Sequence, residues 1–166
     1  MLSQPLARWA MRRLRRDVAH PQSVQREVLQ SLVAKGKATA FGRDHDLQDG
    51  LSVAEFQARV PVRDYEGLRT YMERAVKGER DVVWPGVPLY FCKTSGTTSG
   101  AKFIPLTKDS MPNHIGSARN ALFGHIAGTD EASFLDGKMI FLQGSPALSK
   151  TSGGVKFGRL SGIVAH

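Results

Sequence analysis

A mixed α/β fold, helices first and then strand–loop–strand, is what this 166-residue sequence predicts. Three observations carry that prediction. Apolar residues recur at helical spacing from Leu6 to Ala75. Between Val87 and Leu106 the pattern changes to short apolar runs on either side of a Ser/Thr/Gly cluster. The 17 glycines gather in the second half, where loops and short strands are expected.

Residues 5–19 predict a helix, with Leu6, Trp9, Ala10 and Leu14 as its apolar stripe and arginines opposite. Such a basic amphipathic helix can lie on a membrane surface. Packing of the stripe on the core is the preferred reading. Ser23 to Lys35 predict a second helix with Val24, Val28, Leu29, Leu32 and Val33 apolar, after Pro21 and closed by Gly36. Residues 1–36 are thus a helical lead within one partial domain, 1–166. Residues 39–51 read as a loop. His45 between Asp44 and Asp46 could suggest a metal, but three adjacent polar residues face one ion only through a special turn, so a solvated loop is the preferred reading. Ser52 followed by Glu55 is a capping-box signature for a short helix, Val53–Arg59. A further helix covers Asp64–Val76, with Tyr65, Leu68, Tyr71, Met72 and Ala75 on one face and Gly78 as the stop. Trp84-Pro85-Gly86 is a turn, with Trp84 as packing.

Val87 to Lys93 predict a strand, with Pro88 near its start. Phe103 to Leu106 predict its antiparallel partner. Thr107 is expected to cap a helix to about Ala127, with Ile115, Ala118, Leu122, Phe123 and Ile126 apolar. Lys138–Leu142 reads as a buried strand and 143–156 as a loop. Ser152-Gly153-Gly154 within it resembles a phosphate loop weakly and lacks the flanks of one. The sequence stops at Ile163-Val-Ala-His166 directly after an apolar segment, as a fragment would.

Composition narrows the function. Hydrophobic content of 41% and 23% charged residues suit a globular chain. The single cysteine, Cys92, rules out an internal disulfide and a cysteine-based zinc site, suits a reducing compartment, and reads as a buried thiol. The net charge of +8 is concentrated at the start: Arg8, Arg12, Arg13, Arg15 and Arg16 all precede the first acid, Asp17. No basic surface interleaved with stacking aromatics is visible, so specific nucleic-acid binding is not expected. No run approaches the ~20 apolar residues needed to cross a bilayer.

Chemistry is concentrated at Thr94, Ser95, Gly96, Thr97, Thr98, Ser99, Gly100 and Lys102. Glycines permit turns that aim several N–H groups at one point, hydroxyls add donors, and lysine adds a charge. These are the parts of a loop that holds the phosphates of a nucleotide. The Walker A pattern is not matched: Gly96 and Gly100 stand too close, Ala101 precedes Lys102, and Phe103 occupies the place of the magnesium-binding hydroxyl. The flanks predict a hairpin rather than a loop opening a helix.

Ser95-Gly-Thr-Thr-Ser-Gly-Ala-Lys102 resembles the signature loop of the adenylate-forming superfamily. Its continuation, Phe103-Ile-Pro-Leu-Thr107, is more like the GH3 family of acyl acid–amido synthetases. Ala38-Thr-Ala-Phe-Gly-Arg-Asp-His-Asp46, Phe56-Gln-Ala-Arg-Val-Pro-Val-Arg-Asp-Tyr-Glu66 and Phe157-Gly-Arg-Leu-Ser-Gly-Ile163 are similar to further segments of that family, in the same order. The resemblance implies the N-terminal part of the large domain of an adenylate-forming fold. It also implies ATP-dependent activation of a carboxylic acid as acyl-adenylate, then amide formation with an amino acid. ATP and Mg²⁺ are the implied cofactors; the acidic magnesium-binding positions, the adenine segment and the C-terminal domain have no counterpart here. The phosphate role falls on Ser95 to Ser99, with Thr94 and Lys102 at the rim. Arg119, and less so His125, are candidates to face the acid's carboxylate, because the equivalent helix borders the acyl-acid pocket. No catalytic residue is assigned, a cytoplasmic location is expected, and this segment alone is expected to be inactive. The alternative is a non-catalytic remnant or a partner-binding module.

Overall fold

The computed structural model describes residues 3–94, 102–138, 140, 142 and 144–163. In chain order the helices are α1 (Ser3–Ala19), α2 (Pro21–Gly36), α3 (Ala40–Asp44), α4 (Val53–Arg59), α5 (Tyr65–Val76), α6 (Met111–Thr129) and α7 (Leu160–Ile163). The strands are β1 (Tyr90–Lys93), β2 (Phe103–Leu106), β3 (Ser149–Lys150) and β4 (Lys156–Gly158). The expected mixed α/β order, helices first, is what forms. The chain divides into two compact units, Met1–Gln25 with Asp109–Leu142 and Arg26–Lys108 with Gln143–His166.

In the first unit α1 packs along α6. The contact buries Ala7 and Met11 of α1 and Ile126 of α6. The start of α1 meets the end of α6: Arg8 Nη2 donates to Asp130 Oδ1 at 2.6 Å, and the Gln4 amide donates to the Asp130 carbonyl. Asp130 closes α6 in the left-handed region, φ 58°. The face α1 uses is therefore not the stripe read from the sequence. Leu6 and Trp9 are 51% and 67% exposed. The small Ala7 lets the two backbones approach, and the larger side chains are left on the outer shoulder. α6 begins at Met111 with Pro112 in its first turn, not at a Thr107 cap, and Ser110 at its N-cap makes no side-chain cap bond. Of its expected apolar stripe only Ile126 is buried, while Ile115 is 58% exposed. The expected strand over 138–142 does not form among its described residues, since no described strand pairs with it. Ile140 and Leu142 are both largely exposed.

The second unit holds a four-stranded sheet in the order β2-β1-β4-β3. β1 and β2 are antiparallel, with Lys93 opposite Phe103 and Tyr90 opposite Leu106, so the expected hairpin is present. β4 lies parallel to β1, and β3 antiparallel to β4. The loop read over 143–156 thus contains a strand, β3. The turn at Ser152-Gly153-Gly154 is held by Thr151 N–H to Val155 O and by Gly153 N–H to Val76 O. A Cβ on Gly153 would lie 2.2 Å from the Gly78 nitrogen, so close backbone packing accounts for that glycine. Phe91, fully buried, joins Ala75, Val82 and Val155 in the core. Phe103 lies edge-to-face against Phe91 and Phe157, centroids 6.0 and 5.3 Å away. Cys92 is half-buried rather than buried.

Capping explains the helices that precede the sheet. Ser52 and Glu55 form the full capping box of α4, and Asp64 caps α5 by accepting from Gly67 N–H. Residues 39–51 are not a plain loop. Thr39 is buried, donates its hydroxyl to Gly36 O and accepts from Gly42 N–H, which starts α3. A Cβ on Gly42 would sit 2.2 Å from Gly36 O. His45 is not solvated: it stacks on Phe41 at 4.1 Å, and its Nδ1 lies 2.8 Å from Phe41 O. Burial, then the hydrogen bond to Asp44, pushes the neighbouring Tyr71 hydroxyl up from its ordinary range.

Candidate phosphate-binding site

The loop expected to hold phosphates is closed at its base by the β1–β2 hairpin. Past the last ladder pair, Thr94 N–H donates to Lys102 O at 3.0 Å. Ser95, Gly96, Thr97, Thr98, Ser99 and Gly100 lie outside the described residues. Thr94 and Lys102 are brought together as its two posts. Thr94 Oγ1 is buried and has no hydrogen-bond partner among the described residues. A buried hydroxyl without a partner loses its water without compensation, so a polar group arriving there has a donor and acceptor waiting.

Lys102 is half-buried, and its Nζ stands 5.5 Å from the centre of the Tyr65 ring. No carboxylate pairs with it among the described residues. Because Lys102 O faces β1, the N–H of the same peptide unit, on Phe103, faces away from the sheet. β2 is an edge strand, and that N–H would be unsatisfied. It donates to the Tyr65 hydroxyl at 3.0 Å. Tyr65 is the first residue of α5, so the Asp64 cap fixes its place. In the sequence Tyr65 reads as part of an apolar helix face and of a family-like segment, not as a residue of the site.

These posts fit a phosphate group. They offer a lysine charge, an orphaned hydroxyl and a hairpin opening to a Gly/Ser/Thr segment, and they offer no acid, base or nucleophile.

The other predicted site residue, Arg119, belongs to the first unit. There it lines a cleft of about 940 Å³ with Arg12, Arg13 and Arg16 of α1, against Trp9 and Phe123. Arg13 is 3.9 Å from Asp17. A cationic rim on an aromatic wall suits an anion with an apolar body. In the sequence the α1 arginines read as the basic face of an amphipathic helix, not as lining a site. His125 is exposed and meets Phe134 edge-on at 5.6 Å. Among the described residues no group of three or more His, Cys, Asp or Glu is placed to hold a metal ion. Nor is any helix long and apolar enough to cross a membrane.

A sequence model of the GH3 family N-terminal domain matches residues 10–166. The chain belongs to the GH3 family. It is 28% identical over 141 residues to an indole-3-acetic acid-amido synthetase GH3.4 of Arabidopsis thaliana, covering 82% of this chain and 23% of that protein. It is 33% identical over 91 residues to a probable indole-3-acetic acid-amido synthetase GH3.2 of Oryza sativa subsp. japonica, covering 54% of this chain and 15% of that protein. A solved structure, AtGH3.15 acyl acid amido synthetase in complex with 2,4-DB, superimposes with a TM-score of 0.69 at 26% identity, over 82% of this chain and 24% of that one. The GH3 chain described here therefore spans less than a quarter of the length of these relatives, and its fold is that of their N-terminal part.

Proposed function

We propose that this chain is the phosphate-holding part of an ATP-dependent acyl acid–amido synthetase. The observation that carries the proposal is the pair of posts, Thr94 and Lys102, closing a Ser/Thr/Gly loop at the end of a hairpin. In the reaction, a carboxylate attacks the α-phosphorus of Mg-ATP to give an acyl-adenylate and pyrophosphate; an amino acid's amine then displaces AMP and forms the amide. The loop's task is electrostatic. Fixed N–H and O–H donors with a cation hold the β- and γ-phosphates and stabilise the charge that develops on the leaving pyrophosphate. Ser95 to Ser99 supply the donors, Thr94 an additional hydroxyl and Lys102 the charge. Arg119 takes the carboxylate of the acid, and a reducing, cytoplasmic setting suits Cys92.

Calorimetry of Mg-ATP and of inorganic pyrophosphate against the 166-residue protein tests this reading. Saturable binding of both is expected. Lys102→Ala is expected to weaken both by about tenfold, the loss of one charge-assisted contact. Absence of binding by the folded wild-type protein would favour a non-catalytic, partner-binding module instead.

A further inference from the structure

We infer that Tyr65 is a positioning residue for the phosphate loop, acting on Lys102 and on the strand that leaves the loop. This rests on the phosphate-loop reading and adds to it a residue outside the loop.

Tyr65 makes two contacts to consecutive residues. Its hydroxyl accepts the Phe103 N–H at 3.0 Å, and its ring lies under the Lys102 ammonium at 5.5 Å. The first contact fixes the backbone where β2 begins. The second fixes the side chain one residue earlier. A lysine side chain has many rotamers, and much of that freedom is lost when it must meet a ligand. A carboxylate partner would hold the amine in place but would also cancel its charge. An aromatic face restrains the amine and leaves the charge for an anion. Among the described residues Lys102 has the ring and no carboxylate, which suits a cation kept ready for phosphate.

The hydroxyl explains why a tyrosine stands there. Phe103 is an edge-strand residue whose N–H points away from β1, and another side chain without an acceptor would leave it to water. The Asp64 side chain bonded to Gly67 N–H anchors the turn of α5 that carries Tyr65. The path from helix cap to loop post is therefore short: Asp64, Tyr65, then Lys102 and Phe103.

Two variants separate the contacts. Tyr65→Phe keeps the ring and loses the acceptor; Tyr65→Leu loses both. Amide hydrogen exchange is read first, with no nucleotide present. Phe103 N–H is expected to be protected in the wild type and to lose that protection in Tyr65→Phe, while Leu89 N–H and Thr94 N–H, which face within the hairpin, stay protected. The Lys102 ε-methylene proton resonances are expected to lose their ring-current shift only in Tyr65→Leu. Mg-ATP titration is read second. Tyr65→Phe is expected to weaken binding by about fivefold and Tyr65→Leu by about tenfold or more. Unchanged Phe103 protection in Tyr65→Phe would overturn the clamp itself. Lost protection with unchanged Mg-ATP affinity in both variants would overturn its positioning role and leave the phosphate-loop reading standing. A wild-type protein that shows the clamp and binds no Mg-ATP would overturn the phosphate-loop reading, and the positioning role with it.

Discussion

The second unit builds a buried apolar core around a sheet and the first buries far less, although both leave some apolar side chains, such as Val62 and Trp9, in solvent. In the second, Phe91, Val82 and Ala75 are each no more than 2% exposed. In the first, the buried apolar residues among those described are Ala7, Met11 and Ile126, while Trp9, Val18 and Ile115 stand mostly in solvent. The helices of both units are regular. The difference lies in what each apolar face finds to pack against. A period of 3.6 residues establishes that a helix is amphipathic, but the direction of its buried face depends on the neighbour it meets.

Substitutions can sharpen that contrast. Phe91→Ala is expected to cost about 3–5 kcal/mol, because a fully buried aromatic leaves a cavity among packed rings. Chemical denaturation would register it as a large fall in midpoint. Trp9→Ala, in the first unit, is expected to change the midpoint little; an equal loss at both positions would break the comparison. Gly42→Ala is expected to cost about 1–3 kcal/mol through overpacking against Gly36 O. Thermal melting checks this, and a neutral result would mean that α3 moves away from the end of α2 without penalty. Ser52→Ala is expected to cost about 1 kcal/mol by removing the α4 cap. The smallest effect is one of pH. The Ser52 backbone N–H, then its hydroxyl, hold the Glu55 carboxyl below its ordinary range. Arg74 does the same to Glu79. A carboxylate with a depressed folded pKa stabilises above its unfolded pKa and loses that contribution as pH falls through the folded one. Helix signal should therefore weaken modestly on acidification below the ordinary carboxylate range, and less so in Glu55→Gln.

Legibility in the sequence followed locality. Ser52 and Glu55 are three residues apart, and the capping box they spell is the one that forms. The hairpin from Tyr90 to Leu106 was legible for the same reason, since both strands flank one loop. Thr39 was not read as a cap, because its helix is too short to show a period. His45 looked solvated between two aspartates, yet its ring stacks on Phe41 four residues back. Lys138–Leu142 has the composition of a buried strand, but composition does not supply a pairing partner, and none is present among its described residues. At the site, Thr94 and Lys102 were legible as part of the Ser/Thr/Gly motif. Tyr65 was not, because its two contacts reach across nearly forty positions of chain.

Whether the loop between β1 and β2 holds phosphate is tested most directly by a nitrogen–proton correlation spectrum of the labelled protein, titrated with Mg-ATP, inorganic pyrophosphate and adenosine in turn. Mg-ATP and pyrophosphate are both expected to shift the amides from Thr94 to Phe103, adenosine is expected to shift none of them, and the core amides near Phe91 are expected to stay in place. Shifts elsewhere with a silent loop, or no shift with either phosphate ligand, would contradict it.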